Sequence, residues 1–364
     1  MENKDRISNQ QIKALLVTTA IGVGVLSLPS DVAMILENDG WIAILLGGLI
    51  PIPIILMTNR LLKMYPNKSF FEICKQVMNP IVAYLFFILF FIYTIVVQSY
   101  VSRLFAEVIK AYLLETTPMG VIILAMLFSV SYIARSRIEV LARVAVMVYP
   151  IILAFPILLL VVNLPDLDYT NIFPLFNINY GEIPNGAVTA YFSYIGYEIV
   201  LLAFNISDDK SNSLKYSLRG LYTVIGIYLI IFFVTLSQYG IYQLKREIWP
   251  TIAVIKEIDL PGYFVENLDG IMMAVWVMVV YSTLGSFAHM AGIALKEIFR
   301  TNTHEVFTLL LVPIIYAISL IPHNLITTYK IMGGFLSYLT LIGTIILPTI
   351  TFIVAYIKKR RMKT

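Results

Sequence analysis

Two stretches decide how this chain folds: Thr18-Thr19-Ala20-Ile21-Gly22-Val23-Gly24-Val25-Leu26-Ser27-Leu28-Pro29 and Tyr191-Phe192-Ser193-Tyr194-Ile195-Gly196-Tyr197-Glu198. Each sets glycine near the middle of an apolar run that is otherwise long enough to cross a bilayer. Glycine lets a helix unwind without a Cβ clash, and unwinding frees amide and carbonyl groups at membrane depth. Such groups are tolerated there only where they line a cavity or bind something. The N-terminus of a half-helix favours a carboxylate and the C-terminus favours an ammonium or a cation, so two broken helices suit an amino-acid zwitterion. Glycine also serves close helix packing in membranes, which is how Gly47-Gly48 and Gly333-Gly334 are read.

Outward from these stretches the whole chain is of the same kind. Of its 364 residues 59% are hydrophobic and 13% charged, against about 45–50% and roughly 25% in soluble proteins. That excludes an ordinary soluble enzyme and a disordered chain, and a net charge of +4 without a clustered patch argues against nucleic acid as a partner. One cysteine, Cys74, and three scattered histidines, His289, His304 and His323, offer no metal or redox motif, so neither a metal nor a cofactor is expected. Windows free of Asp, Glu, Lys and Arg fall at 14–30, 40–59, 76–102, 116–134, 144–165, 220–244, 270–295, 306–329 and 331–357, with one more at 183–206 interrupted by Glu198.

A spanning helix needs about 20 apolar residues, so the expected fold is an all-α polytopic membrane protein of ten transmembrane helices. No soluble domain is expected, and the first window, which lacks a small-residue cleavage site, is read as a retained helix. Five helices plus five place the sixth in the opposite sense to the first, so a repeat at about 10–163 and 183–357 has inverted topology. Helices 1 and 6 are then interrupted at matching positions, which points to a transporter-type binding site.

Lys and Arg set orientation. Lys4, Arg6 and Lys13, then Arg60, Lys63, Lys68 and Lys75, then Arg135, Arg137 and Arg143, then Lys210, Lys215 and Arg219, then Lys296 and Arg300, and finally Lys358, Lys359, Arg360, Arg361 and Lys363 fall on one side. Arg103, Lys110, Lys245, Arg246, Lys256 and Lys330 fall on the other. Both termini are therefore expected in the cytoplasm, with the basic tail against anionic lipid of the bilayer.

The helix-1 pattern and Gly196-Tyr197-Glu198 resemble the amino acid-polyamine-organocation transporter superfamily with its LeuT-type 5+5 inverted-repeat fold. Further stretches narrow the resemblance. They are Arg103-x-Phe105-x-Glu107 followed by Thr117-Pro118, the Ala134–Arg143 stretch ending in Tyr149-Pro150, and the run from Glu198 to the Asp208-Asp209-Lys210 loop. Together these are similar to the B subunit of the nutrient germinant receptors of endospore-forming bacteria. The resemblance implies a sensor in the spore inner membrane that binds a small nutrient such as an amino acid and works with an A subunit and a lipoprotein C subunit. A proton-coupled amino-acid symporter is the second reading, and a ligand-opened ion pathway the third. An enzyme is not expected, because no nucleophile, base and orienting residue are grouped.

The expected ligand site is backbone and side chains of Thr19, Ala20, Gly22, Val23 and Gly24 in helix 1 and of Ser193, Tyr194, Gly196 and Tyr197 in helix 6. The helix-3 face carrying Tyr93, Val97 and Tyr100 completes it. Glu198 has two readings, a cap within the unwound segment or a proton carrier, since an acid at that depth must be paired, protonated or facing a cavity. Glu107 is the other proton or gating candidate, set to pair with Arg103 at i, i+4. On helix 8, Ser282, Thr283 and Ser286 are placed to meet helix-1 carbonyls, as helix-to-helix hydrogen bonds or as oxygen ligands of a hard cation. His289 is read as an interface residue.

Overall fold

The structure, a computed structural model, describes residues 6–177, 179–257 and 268–361, the side chains of 268 and 269 apart. Lys4 and Lys363 of the charge pattern lie outside the described residues. Ser8 starts the first helix, α1 (Asn9–Ala20), with a reciprocal cap: its hydroxyl accepts the Gln11 amide at 3.3 Å while Gln11 Oε1 accepts the Ser8 amide at 2.8 Å. The helix stops at Ile21, whose ψ of 95° is extended, and resumes as α2 (Gly24–Leu36). Pro29 sits inside α2 and has no amide to give Val25. The Thr251 hydroxyl, from the short helix α12 described below, donates to that Val25 carbonyl at 2.8 Å instead.

After Glu37, which ends α2 at a φ of 51°, α3 (Gly40–Leu49) and α4 (Pro51–Met64) follow, then the short α5 (Phe70–Val77). Next come the long α6 (Pro80–Tyr112), α7 (Met119–Ala134) and α8 (Ile138–Asn163). The 33 residues of α6 extend about 50 Å at 1.5 Å per residue, more than a bilayer core. The second half opens with α9 (Ile183–Tyr191), which breaks at Ile195–Gly196 and continues through 3-10 turns around α10 (Val200–Ala203). There follow α11 (Ser213–Leu244), α12 (Pro250–Lys256), α13 (Leu268–Phe299) and α14 (Glu305–Ser319). The last span comprises α15 (Leu325–Thr327), α16 (Gly334–Thr340) and α17 (Leu347–Arg361), joined by π-helical turns at Thr328–Gly333 and Leu341–Ile346.

The fold is all-helical; among the described residues the extended backbone pairing is one bridge, Ile7 with Ser207. Six helices are long and apolar enough to cross a membrane, or seven when the pair Tyr180–Tyr194 and Tyr197–Ile206, bent by 54°, is taken as one span. The 16 residues of α7 and the 15 of α14 reach about 24 Å and 22 Å, short of a core about 30 Å thick, so length alone does not give the expected ten. The ninth window also ends earlier than its composition suggested. Pro322 and the Asn324 side chain, which accepts the Thr327 amide at 2.8 Å, start the last span at Leu325 and place Lys330 inside it. Outward-facing Ile81, Met147 and Val161 are 79%, 72% and 60% exposed, as apolar side chains are when the surrounding solvent is hydrocarbon.

Hydrogen bonds gather the basic loops on one face. Ile7 pairs with Ser207, Arg6 N–H donates to Glu139, Lys75 pairs with Glu297 at 2.7 Å, and Lys359 donates to the Met64 carbonyl. In that face's Ser207–Asn212 loop, hydrogen bonds from Ser211 and Asn212 pull the Asp209 carboxyl down to about 2. The opposite face holds the Lys245–Glu37 pair and Lys256 over the Tyr112 ring. Gly47 and Gly48 are close-packing glycines as expected, since a Cβ on Gly48 would lie 2.5 Å from Ile225. Gly333 and Gly334 are not. Gly333 lines a cavity and Gly334 faces open space, because a π-helical turn, and not a helix crossing, occupies that position.

Candidate functional site

Both helix breaks form, and they meet. Gly196 has a φ of +116°, and a Cβ placed there would stand 2.5 Å from the Thr19 carbonyl oxygen, so only glycine fits both the backbone and the contact. Gly24 is packed less tightly against Ser193, where an added Cβ would stand 3.1 Å from the hydroxyl. Tyr228 of α11 stitches the two segments, its hydroxyl 2.7 Å from the Ser193 carbonyl and 3.3 Å from the Ala20 carbonyl. Thr283 of α13 does the same for helix 1 alone, reaching the carbonyls of Thr18 at 3.0 Å and Ile21 at 3.3 Å. Every one of these bonds supplies a donor to a carbonyl that unwinding released.

A cavity of ≈ 220 Å³ opens beside the breaks. Of the expected site residues Ala20, Gly22, Val23, Gly24, Val97, Tyr100 and Ser193 line it. One wall is therefore the unwound part of helix 1 and the first turn of α2. Thr283, Phe192, Phe287 and Tyr329 contribute further walls.

The other expected residues lie away from the cavity. Thr19 spends its hydroxyl on the Leu15 carbonyl at 2.6 Å and on Ser286 at 2.9 Å. Gly196 faces the Thr19 backbone. Tyr194 donates to the Ile44 carbonyl at 2.8 Å, and Tyr197 to the Thr344 carbonyl at 3.0 Å, with Tyr191 bonded to the Thr344 hydroxyl beside it. Tyr93 donates to Glu198 at 2.5 Å. The physical reason is common to all of these hydroxyls. Deep in a spanning bundle a hydroxyl needs a polar partner, and here the partners are the Leu15, Ile44 and Thr344 carbonyls, the Ser286 and Thr344 hydroxyls and Glu198, not the cavity. Of the tyrosines expected to shape the site, Tyr100 alone lines it.

Glu198 is built as a cap. Its Oε2 accepts the Gly196 amide at 2.8 Å, its Oε1 accepts Tyr93, and its side chain is buried. Glu107 is engaged as well: Arg103 contacts it at 2.8 Å and also reaches the Ser319 carbonyl at 3.4 Å. The pair is largely buried against α14 and not exposed as a surface pair would be. His289 and His304 both approach the Ala134 carbonyl, at 3.3 and 3.2 Å, which makes His289 a helix-interface residue.

Sequence reading missed Asp31. It lines the cavity two turns beyond Gly24 and one turn beyond Ser27, whose hydroxyl sits beside its carboxylate. The signal was present as the spacing Gly24, Ser27, Asp31 on one face of α2, but a window that ends at the first charged residue discards it. Tyr329 was hidden for a different reason, since it lies in the stretch assigned to the end of a neighbouring helix.

Solved structures share this architecture. A nucleobase-cation-symport-1 transporter, Mhp1, closed with bromovinylhydantoin bound, superposes with a TM-score of 0.68 at 14% identity, over 96% of this chain and 78% of that one. A substrate-bound, outward-open Na+-coupled sialic acid symporter gives 0.64 at 14%, over 94% and 80%. MhsT in complex with L-phenylalanine gives 0.59 at 14%, over 97% and 89%. These likenesses establish the LeuT-type transporter fold. Among sequences, spore germination protein GerLB of Bacillus cereus is 27% identical over 98% of this chain and 96% of its own length. Spore germination protein A2 of Bacillus subtilis (strain 168) is 25% identical over 95% and 94%, and YndE of the same organism is 23% identical over 98% of both. The family model described as "Spore germination protein" matches residues 6–328, a range that holds both helix breaks, Asp31, Glu198 and most of the cavity wall, and the chain belongs to that family of integral membrane proteins.

Proposed function

We propose that this protein is the nutrient-sensing subunit of a spore germination receptor, which binds a small germinant, an amino acid, in the cavity beside its broken helices. The observation that carries the reading is the wall made by Ala20, Gly22, Val23 and Gly24. There the carbonyl end of α1 and the amide end of α2 face one space, a pairing that suits an ammonium and a carboxylate held together. The relatives' names support germination as the process, and the small molecules bound in solved structures of the same fold support ligand binding. In this reading an A subunit and a lipoprotein C subunit are the partners, the spore inner membrane is the location, and the basic face with both termini lies in the cytoplasm. The protein is a receptor and not an enzyme. Ligand shifts the balance between conformations by its different affinity for each.

Proton-coupled amino-acid symport is the alternative, favoured by the fold shared with symporters. Against it, the two acids proposed as proton carriers are both engaged, Glu198 with Gly196 and Tyr93 and Glu107 with Arg103. Purified protein in proteoliposomes separates the readings. A sensor is stabilised thermally by its amino acid with no accumulation under an imposed proton gradient; accumulation against the amino-acid gradient establishes the symporter and removes the sensor-only reading.

A further inference from the structure

We infer that the cavity is selective for an amino acid whose side chain ends in a cation, such as lysine, and that Asp31 is the residue that selects it. The inference rests on the ligand site proposed above and names the class of ligand it takes. Asp31 is, among the described residues, the one charged side chain on the cavity wall, and no Lys or Arg lines the cavity. Nor does Asp31 belong to any of the ion pairs of the described residues. An ionisable side chain at membrane depth calls for a named partner, and among the described residues Asp31 has the Ser27 hydroxyl beside it, with Tyr100 and Tyr329 nearby, and no cationic partner. Its partner is then the occupant of the cavity.

Position decides which part of the occupant that is. Asp31 lies seven residues past Gly24, about 10 Å along the axis at 1.5 Å per residue. Helical side chains lean back toward the N-terminus, which brings the carboxylate level with Ser27. The α-ammonium and α-carboxylate belong at the break, where the α1 carbonyls and the α2 amides face each other. From there the Asp31 carboxylate is one side-chain length away, a separation that a four-carbon stem ending in an ammonium bridges and that a short neutral side chain does not. The rings of Tyr100, Tyr329 and Phe192 also line the cavity, and aromatic neighbours favour a cation over a neutral group of the same size.

Full-length protein reconstituted in lipid nanodiscs tests this by thermal unfolding against increasing L-lysine, L-norleucine, which keeps the chain but lacks the ammonium, and Nε-acetyl-L-lysine, which keeps the length without the charge. The expected result is that lysine binds roughly tenfold or more tighter than either neutral analogue, that Asp31→Asn abolishes that preference, and that Asp31→Glu retains it. Equal binding of norleucine and lysine by the native protein, or undiminished lysine preference in Asp31→Asn, overturns the inference and leaves the ligand site standing. Should Asp31→Asn not fold, the native protein's ranking of the three ligands decides by itself. Binding of none of the three, nor of any other amino acid, overturns the ligand site and this inference together.

Discussion

The two helix breaks look alike in sequence and are finished differently. The break in helix 1 leaves its amides and carbonyls facing a cavity, and the hydroxyls that satisfy it, from Tyr228 and Thr283, come from other helices. The break in helix 6 is closed in large part from within: Glu198 folds back onto the Gly196 amide and holds Tyr93, and Gly196 is pressed against Thr19, while Tyr228 takes the Ser193 carbonyl and Ser193 and Ile195 line the cavity beside it. The first is a surface prepared for something that arrives, and the second is a fixed joint. An inverted repeat supplies two openings in a membrane bundle, and this chain uses a buried acid, Glu198, to seal the second.

Four substitutions break or sharpen that contrast. Replacing Gly196 has the largest expected effect. Gly196→Ala puts a side chain into a left-handed backbone, which alone costs about 1–3 kcal/mol, and into the Thr19 carbonyl; detergent-solubilised protein should lose most of its monodisperse peak. A native-like elution profile would show that the joint is loose. Next is Glu198. Glu198→Ala strands the Gly196 amide and the Tyr93 hydroxyl, each worth about 1–3 kcal/mol when buried and unpaired, and should lower the unfolding midpoint clearly, whereas Glu198→Gln keeps one acceptor and should lose less. A Gln variant with native stability and no ligand response would return Glu198 to the role of proton carrier.

Tyr228→Phe removes the single hydroxyl that touches both breaks, so a loss of about 1–2 kcal/mol is expected, read as a midpoint shift in the same assay; no shift would mean that the stitch is idle. Gly24→Leu should change stability less than Gly196→Ala, because Gly24 has an ordinary backbone conformation and an added Cβ would stand 3.1 to 3.3 Å from Ser193, a tight contact and not a clash with a carbonyl. The added side chain fills the cavity at the helix-1 wall, and ligand-dependent stabilisation should disappear. If Gly24→Leu retained ligand binding, the open break would not be the site.

The breaks were legible because glycine in an apolar run is a backbone signal that survives without tertiary context. The facing of side chains was not. In a soluble helix, polarity marks the outward side, but here Leu85 at 53% exposed and Phe87 at 1% are equally apolar, since lipid and protein interior make the same demand. Tyr93, Val97 and Tyr100 therefore read as one face, and only coordinates divide them between a carboxylate and a cavity. Asp31 escaped for the opposite reason. A charge was taken as the end of a helix, when α2 runs on past it to Leu36 and the charge is spent inward.

Pro29 has a consequence for how α2 moves. By withholding one amide it leaves the Val25 carbonyl to Thr251, so the helix that carries both Gly24 and Asp31 is tied by a single directional bond to α12. At the start of α12, Trp249 donates to Tyr329 on the cavity wall at 3.1 Å. A twist of α2 cannot keep that bond's geometry without dragging α12, and a shift of Tyr329 tugs the same short helix from its other end. The short helix α12 is thus joined to the cavity's surroundings at two points, by Thr251 at the Val25 carbonyl and by Trp249 at the Tyr329 hydroxyl.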